Sequence, residues 1–421
     1  MEATERRRRV PLLAAVGPGL LVAATGVGAG DLATASIAGS KLGPAVLWAV
    51  VLGALLKLAL TEGLTRWQLA TGETLLAGTV RRLGRPVALV FLFYLLIWTV
   101  LVGRALVSAC GVTAQALAPL FADAETGKIV FGVLHSLAGI GLVLAGGYRL
   151  FERLMSVAIG LMVVTVVVTA IVLRPDLGAL ARGLVVPSIP DLAGDGLVWT
   201  VALLGGIGGT VTLLCYGYWI REEGREGPEA LRLCRLDLVS GYAMTAVFGV
   251  AMVIIGSTVR VEGGGATLLV QLGDRLGESL GAGGRWLFLA GAWGAVASSL
   301  LGVWQSIPYL FADLWRLLTR LETGPETGAG EPVDTRALPY RGYLVALGLV
   351  SIGGLFSSFV QIQKVYAVVG ALFIPLLALA LLVLNGRPVW VGREHRNGPL
   401  ATLVLALSVV LFLFFGYLKI R

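Results

Sequence analysis

The strongest constraint on this chain is a succession of apolar stretches, each about 20 residues long, recurring from near residue 12 to near residue 418. A helix of that length rises about 30 Å, the thickness of the hydrocarbon core of a bilayer. Backbone N–H and C=O groups cannot stay unpaired in lipid, and a helix satisfies them within its own segment. The stretches fall at roughly 12–40, 44–70, 86–118, 128–147, 154–174, 197–220, 237–258, 284–312, 342–360, 364–384 and 399–418. They predict an all-α integral membrane protein with 11 transmembrane helices. Composition agrees: 57% of the 421 residues are hydrophobic and 14% charged. Soluble domains carry about a quarter charged residues. A basic N-terminal segment, 1–11, precedes one continuous transmembrane domain, 12–421.

The net charge of +8 does not point to nucleic acid, because the basic residues sit in short runs between apolar spans. Arg6, Arg7, Arg8 and Arg9 precede the first span and predict a cytoplasmic N-terminus under the positive-inside rule. With that orientation the cytoplasmic segments hold 20 of the 33 Lys and Arg, the outside segments 10 and the spans three. A cleavable signal peptide fits less well, since the apolar region is long and has no small-residue cleavage site before a soluble protein. The loop at roughly 313–341 contains Gly324-Pro325 and Gly328-Ala329-Gly330 and reads as a flexible linker. Three scattered cysteines, Cys110, Cys215 and Cys234, give neither a disulfide framework nor a zinc pattern. Two histidines, His135 and His395, are too few for a histidine metal site, and His135 reads as a satisfied interior residue.

Two spans have unusual centres. Gly26, Gly28, Gly30 and Asp31 lie in the middle of the first; Gly205, Gly206, Gly208 and Gly209 precede Thr210 and Thr212 in the sixth. Each glycine weakens a helix by roughly 1 kcal/mol relative to alanine. Small residues also serve close helix packing, so either cluster alone has a plain structural explanation. The clusters lie five spans apart, which is where an inverted five-plus-five repeat places corresponding helices. Broken first and sixth helices are therefore expected, with repeats at about 12–174 and 197–384 and an extra helix at about 399–418. Freed half-helix ends attract anions at N-termini and cations at carbonyls. The Gly26-x-Gly28-x-Gly30 spacing is not a dinucleotide fingerprint, because that motif needs a preceding strand.

Ionisable residues within spans are costly and need a reason. Asp31 is expected either to contact substrate or to cap the second half of its own helix. Glu62 and Arg66, four residues apart, are expected to pair on one helix face. Lys57 lies a turn too early for ideal contact with Glu62 but near enough that it could join them. Arg104 is a fixed positive charge that would pair with Asp31 or Glu62, or face an anionic substrate.

The stretch GPGLLVAATGVGAGDLATASIAGSKLG resembles the first helix of the Nramp family of divalent metal transporters, with its GPG start, DPGN break and ATxxxAGxxxG continuation. RWQLATGETLLAG, GGYRLFERL and GGTVTLLCYGYW extend the resemblance along most of the chain. It implies the LeuT-like fold, an inverted five-plus-five repeat with one extra helix. The site departs from the family pattern. Gly28 stands for the first-break Asp, Ala29 for the Pro and Asp31 for the metal-binding Asn; Gly30 keeps the glycine. Thr212 replaces the Met ligand, Leu214 the following His, Gly209 the carbonyl-donating Ala, Phe373 a tenth-helix Gln, and Arg104 one of the third-helix acids that move protons.

On this reading the chain is a secondary transporter of a bacterial inner membrane, not an enzyme, with no cofactor. Its partners are the lipid bilayer and the transported ion or solute, not nucleic acid. Loss of the thioether favours a hard divalent cation such as Mg²⁺, held by Asp31, Thr212 and freed carbonyls. The alternative is a small organic or anionic solute, for which the glycines open space and Tyr216, Phe373 and Arg104 supply contacts; a non-transporting homolog is the third reading.

Overall fold

The computed structural model describes residues 17–258, 265–320 and 332–420. Arg6 to Arg9 and the glycines of the long loop lie outside the described residues. The first span is built from α1 (Pro18–Gly26), a π-helical segment (Val27–Thr34) and α2 (Ala35–Leu42). Then come α3 (Leu47–Thr71), a short α4 (Leu75–Leu83), α5 (Arg85–Leu117), α6 (Ala124–Val172) and a short α7 (Leu177–Val185). The sixth span is α8 (Gly196–Gly206), a break, a 3₁₀ turn (Val211–Cys215) and α9 (Tyr216–Glu222). The remainder is α10 (Leu231–Ser257), α11 (Gly265–Arg320), α12 (Leu338–Ile352), α13 (Phe359–Ala371), α14 (Phe373–Leu384) and α15 (Pro399–Ile420).

Nine stretches among the described residues are long and apolar enough to cross a membrane. The eleven expected spans differ for two reasons. The end of the first span and the second count as one stretch, Asp31–Thr71, and the fifth leaves only the shorter Met162–Val172. α6 is one run of 49 helical residues, but it is not straight. Nε2 of His135 accepts a hydrogen bond from Trp293 Nε1 at 2.7 Å, while Thr165 packs against Gly291 of the same α11. A straight helix would hold residues 135 and 165 about 45 Å apart. The chain therefore doubles back between them. Asp123 caps its start, and hydrogen bonds from the Thr126 hydroxyl and from the backbone of Thr126 and Glu125 hold that carboxyl below the ordinary carboxylate range.

The core lies where α1, α3, α8, α10 and α11 cross. Backbones meet there without side chains between them: a Cβ on Gly19 would strike the Asp237 carbonyl of α10, and one on Gly241 would strike the Gly19 carbonyl. In lipid, where apolar surfaces gain little from avoiding water, such close packing is what holds helices together. α15 packs on α14 and α3 at the edge of the bundle. The three cysteines are buried and unpaired.

Candidate functional site

The sixth span breaks where its glycines predict. Ile207 turns out of the helix with ψ 125°, and Gly208 and Gly209 adopt φ +73° and +87°. That region costs an L-residue roughly 1–2 kcal/mol, so the two glycines make the break possible. In an uninterrupted helix Gly208 N–H would bond Leu204 C=O. Here each half of that lost bond is taken by an oppositely charged side chain. Asp31 Oδ1 accepts from Gly208 N at 2.8 Å. The Lys57 ammonium donates to Leu204 O at 2.8 Å, to Gly205 O at 2.9 Å and to Ile207 O. Both side chains are fully buried, and they attract one another across the break.

Two sequence expectations are corrected here. Asp31 does not cap its own helix; its carboxylate reaches across to the sixth span. Lys57 does not join Glu62 and Arg66, because the negative end of α8 presents three carbonyls within reach of its ammonium.

The first span is not broken, contrary to expectation. Its backbone stays helical through Val27–Thr34 but widens to a π turn. The cause is Ser299 of α11. Its Oγ accepts from Gly28 N at 2.6 Å and donates to Ala24 O at 2.8 Å, inserting itself into the 28→24 rung of the helical ladder. An inserted side chain is a known cause of local unwinding. Gly28 is required for it: a Cβ there would lie 2.5 Å from Ser299 Cβ and Oγ. The side chain of Ala29 and the surroundings of Gly30 lie outside the described residues.

Around the break, Trp98 Nε1 donates to Thr210 Oγ1 at 3.0 Å, and the Thr61 and Tyr242 hydroxyls pair at 2.8 Å. Asp31 Oδ2 and Thr212 Oγ1 are buried there without a hydrogen-bond partner. Both belong to groups that converge on the Gly208–Gly209 pair. Asp31 holds Gly208 N, and Thr212 Oγ1 lies 2.6 Å from where a Cβ on Gly209 would sit. Asp31 is 0% and Thr212 3% exposed, so the site is sealed. Among the described residues no cluster of three His, Cys, Asp or Glu forms.

The other expected contacts lie elsewhere. The Tyr216 hydroxyl donates to Asp237 Oδ2 at 3.0 Å, which also accepts from Gly19 N and pairs with Arg225. Phe373 stacks on Tyr94 and lines an apolar cavity of about 260 Å³ with Leu214. Glu62 pairs with Arg66 at 3.3 Å as expected, and with Arg235 at 2.7 Å. Arg104 packs against Gly353 and Gly354, and its Nε has no hydrogen-bond partner; the described residues give it no ion pair with Asp31 or Glu62. His135 is bonded at both ring nitrogens, to Phe131 O and Trp293 Nε1. Indole only donates, so Nε2 accepts and Nδ1 carries the proton. Ser299, Asp237 and Arg225 do not stand out in the sequence, because a serine that reaches another helix and an ion pair between a loop and the helix after it leave no periodic trace.

The chain is 27% identical over 275 residues to a divalent metal cation transporter, MntH, of Chromohalobacter salexigens. That match spans 60% of this chain and 58% of the relative's length. It is 23% identical over 345 residues to MntH of Yersinia pestis, covering 76% of this chain and 80% of that one. Among solved structures, a manganese transporter of Eremococcus coleocola superposes with a TM-score of 0.69 at 17% identity, over 100% of this chain and 88% of that one. MhsT in complex with L-phenylalanine superposes with 0.61 at 15% identity, over 95% of this chain and 98% of that one. The architecture is thus the LeuT-like one shared by these transporters. The model of the Natural resistance-associated macrophage protein-like family, Nramp, matches residues 19–420, and the chain belongs to that family.

Proposed function

We propose that this protein is a multi-pass inner-membrane transporter that carries a divalent metal cation through an occluded site at Asp31 and Thr212. Membership of the family and the relatives named as divalent metal cation transporters support the metal. The observation that carries the reading is the pair of free buried oxygens, Asp31 Oδ2 and Thr212 Oγ1, at the break. A carboxylate oxygen left unpaired away from water is costly, and a cation is the partner that suits it.

The donors are oxygens only, with no thioether or imidazole among them. Such a set suits a hard ion, Mg²⁺ above Mn²⁺, that retains part of its water. Arg104, fixed in charge, leaves the usual third-span proton route without its acid. A second reading has its own support. Asp31 and Lys57 cancel, so the site is formally neutral, which also suits a small uncharged or zwitterionic solute.

The test is uptake into liposomes holding the purified protein, with trapped fluorophores for Mg²⁺ and Mn²⁺, beside Asp31→Ala. Mg²⁺ entry that the variant loses supports the metal site. Entry of neither ion through folded protein overturns it and favours the neutral-solute reading.

A further inference from the structure

We propose that Lys57 is a tethered substitute for a free monovalent cation: its ammonium fills a carbonyl cage at the broken end of α8 that would otherwise take an alkali metal ion. The carbonyls of Leu204, Gly205 and Ile207 converge on one Nζ, and the side chain is 0% exposed. Three carbonyls pointing at one spot, at the negative end of a helix, form a cation site by their own chemistry. An ammonium group is close in size to K⁺ and supplies one N–H to each oxygen.

The surroundings agree with a position built for a cation. Asp31, the fully buried carboxylate of the break, lies within electrostatic reach of Lys57. Thr245 of α10, whose methyl faces Gly208, keeps a buried hydroxyl without a partner. Carbonyls freed within a membrane must be satisfied by protein, water or ion. In this chain the protein does it permanently, so no bound alkali ion is needed to hold the break together. The carbonyl cage is separate from the oxygens of Asp31 and Thr212 proposed for the transported ion.

The test is thermal unfolding of the purified protein in detergent with EDTA, in choline, Na⁺ or K⁺ chloride at matched ionic strength. Wild type is expected to unfold at the same temperature in all three. Lys57→Ala and Lys57→Gln are expected to be less stable in choline and to gain a saturable rise of several degrees in Na⁺ or K⁺. Should Lys57→Ala need an alkali salt to be recovered as monodisperse protein, that supports the same conclusion. No difference between alkali ions and choline for both variants, failure of both to fold in every salt, or an alkali response of wild type would overturn the proposal. Because EDTA removes divalent ions, the result is independent of the metal-transport reading.

Discussion

Removing the Asp237 carboxylate tests whether α1 is latched to α10 by one buried charge. Asp237 Oδ2 accepts from Arg225 Nη1 at 2.8 Å, Gly19 N at 2.9 Å and the Tyr216 hydroxyl at 3.0 Å. The aspartate side chain is 0% exposed and that of Arg225 6%, so solvent does little to screen the pair. Asp237→Ala takes the only carboxylate that this buried guanidinium is seen to pair with among the described residues, and breaking such a pair costs about 3–5 kcal/mol. It also orphans the Gly19 donor and leaves the Tyr216 hydroxyl only its longer bond to Cys234 O at 3.4 Å, although these losses are not additive with the first. Asp237→Asn keeps an acceptor for Gly19 and removes only the charge, so it should fall between Asp237→Ala and wild type. The decisive number is the coupling in a double-mutant cycle of Asp237→Asn and Arg225→Met, read from unfolding equilibria in mixed micelles. A coupling of about 2 kcal/mol is expected, because the double variant leaves neither charge unpaired. A coupling below about 0.5 kcal/mol would refute the reasoning, since contacting charges in one network exceed that.

Three further outcomes follow from the geometry. Gly209→Val forces a β-branched residue to φ +87° and should lower stability by at least about 1–2 kcal/mol, read as a drop in melting temperature. Ser299→Ala removes the hydroxyl between Gly28 N and Ala24 O; it should cost about 1–3 kcal/mol if the pair stays orphaned, and hydrogen exchange at Gly28 would show whether the helix closes instead. Glu62→Gln should cost no more than about 1 kcal/mol, because the carboxylate is partly exposed and Arg66 keeps His395 O and Asn397 Oδ1 as partners; denaturation of the variant checks this.

What could be read from the sequence is what has a local cause. Apolar runs mark spans because length alone decides whether a helix crosses a bilayer. The Glu62–Arg66 pair is legible because four residues make one turn. The sixth-span break is legible because Gly208 and Gly209 are the residues that tolerate positive φ. The first-span glycines have the same look but a different use, since Gly28 makes room for Ser299, 271 residues away in the chain. No spacing rule reaches that far. Lys57 is legible as a buried charge but its partners are not, since the carbonyls it holds exist only once α8 has ended. Position along the chain puts Tyr216 near the break and the family resemblance puts Phe373 there, yet the hydroxyl of one turns to Asp237 and the ring of the other to Tyr94.

Whether Asp31 and Thr212 hold the transported ion can be decided by a structure determined with Mn²⁺ present as a scattering stand-in for Mg²⁺. A metal peak is expected within coordination distance, about 2.0–2.2 Å, of Asp31 Oδ2 and Thr212 Oγ1, and it should be lost in Asp31→Ala. A site that stays empty at saturating Mn²⁺ and Mg²⁺, or a metal bound without Asp31, would contradict the proposed transport site.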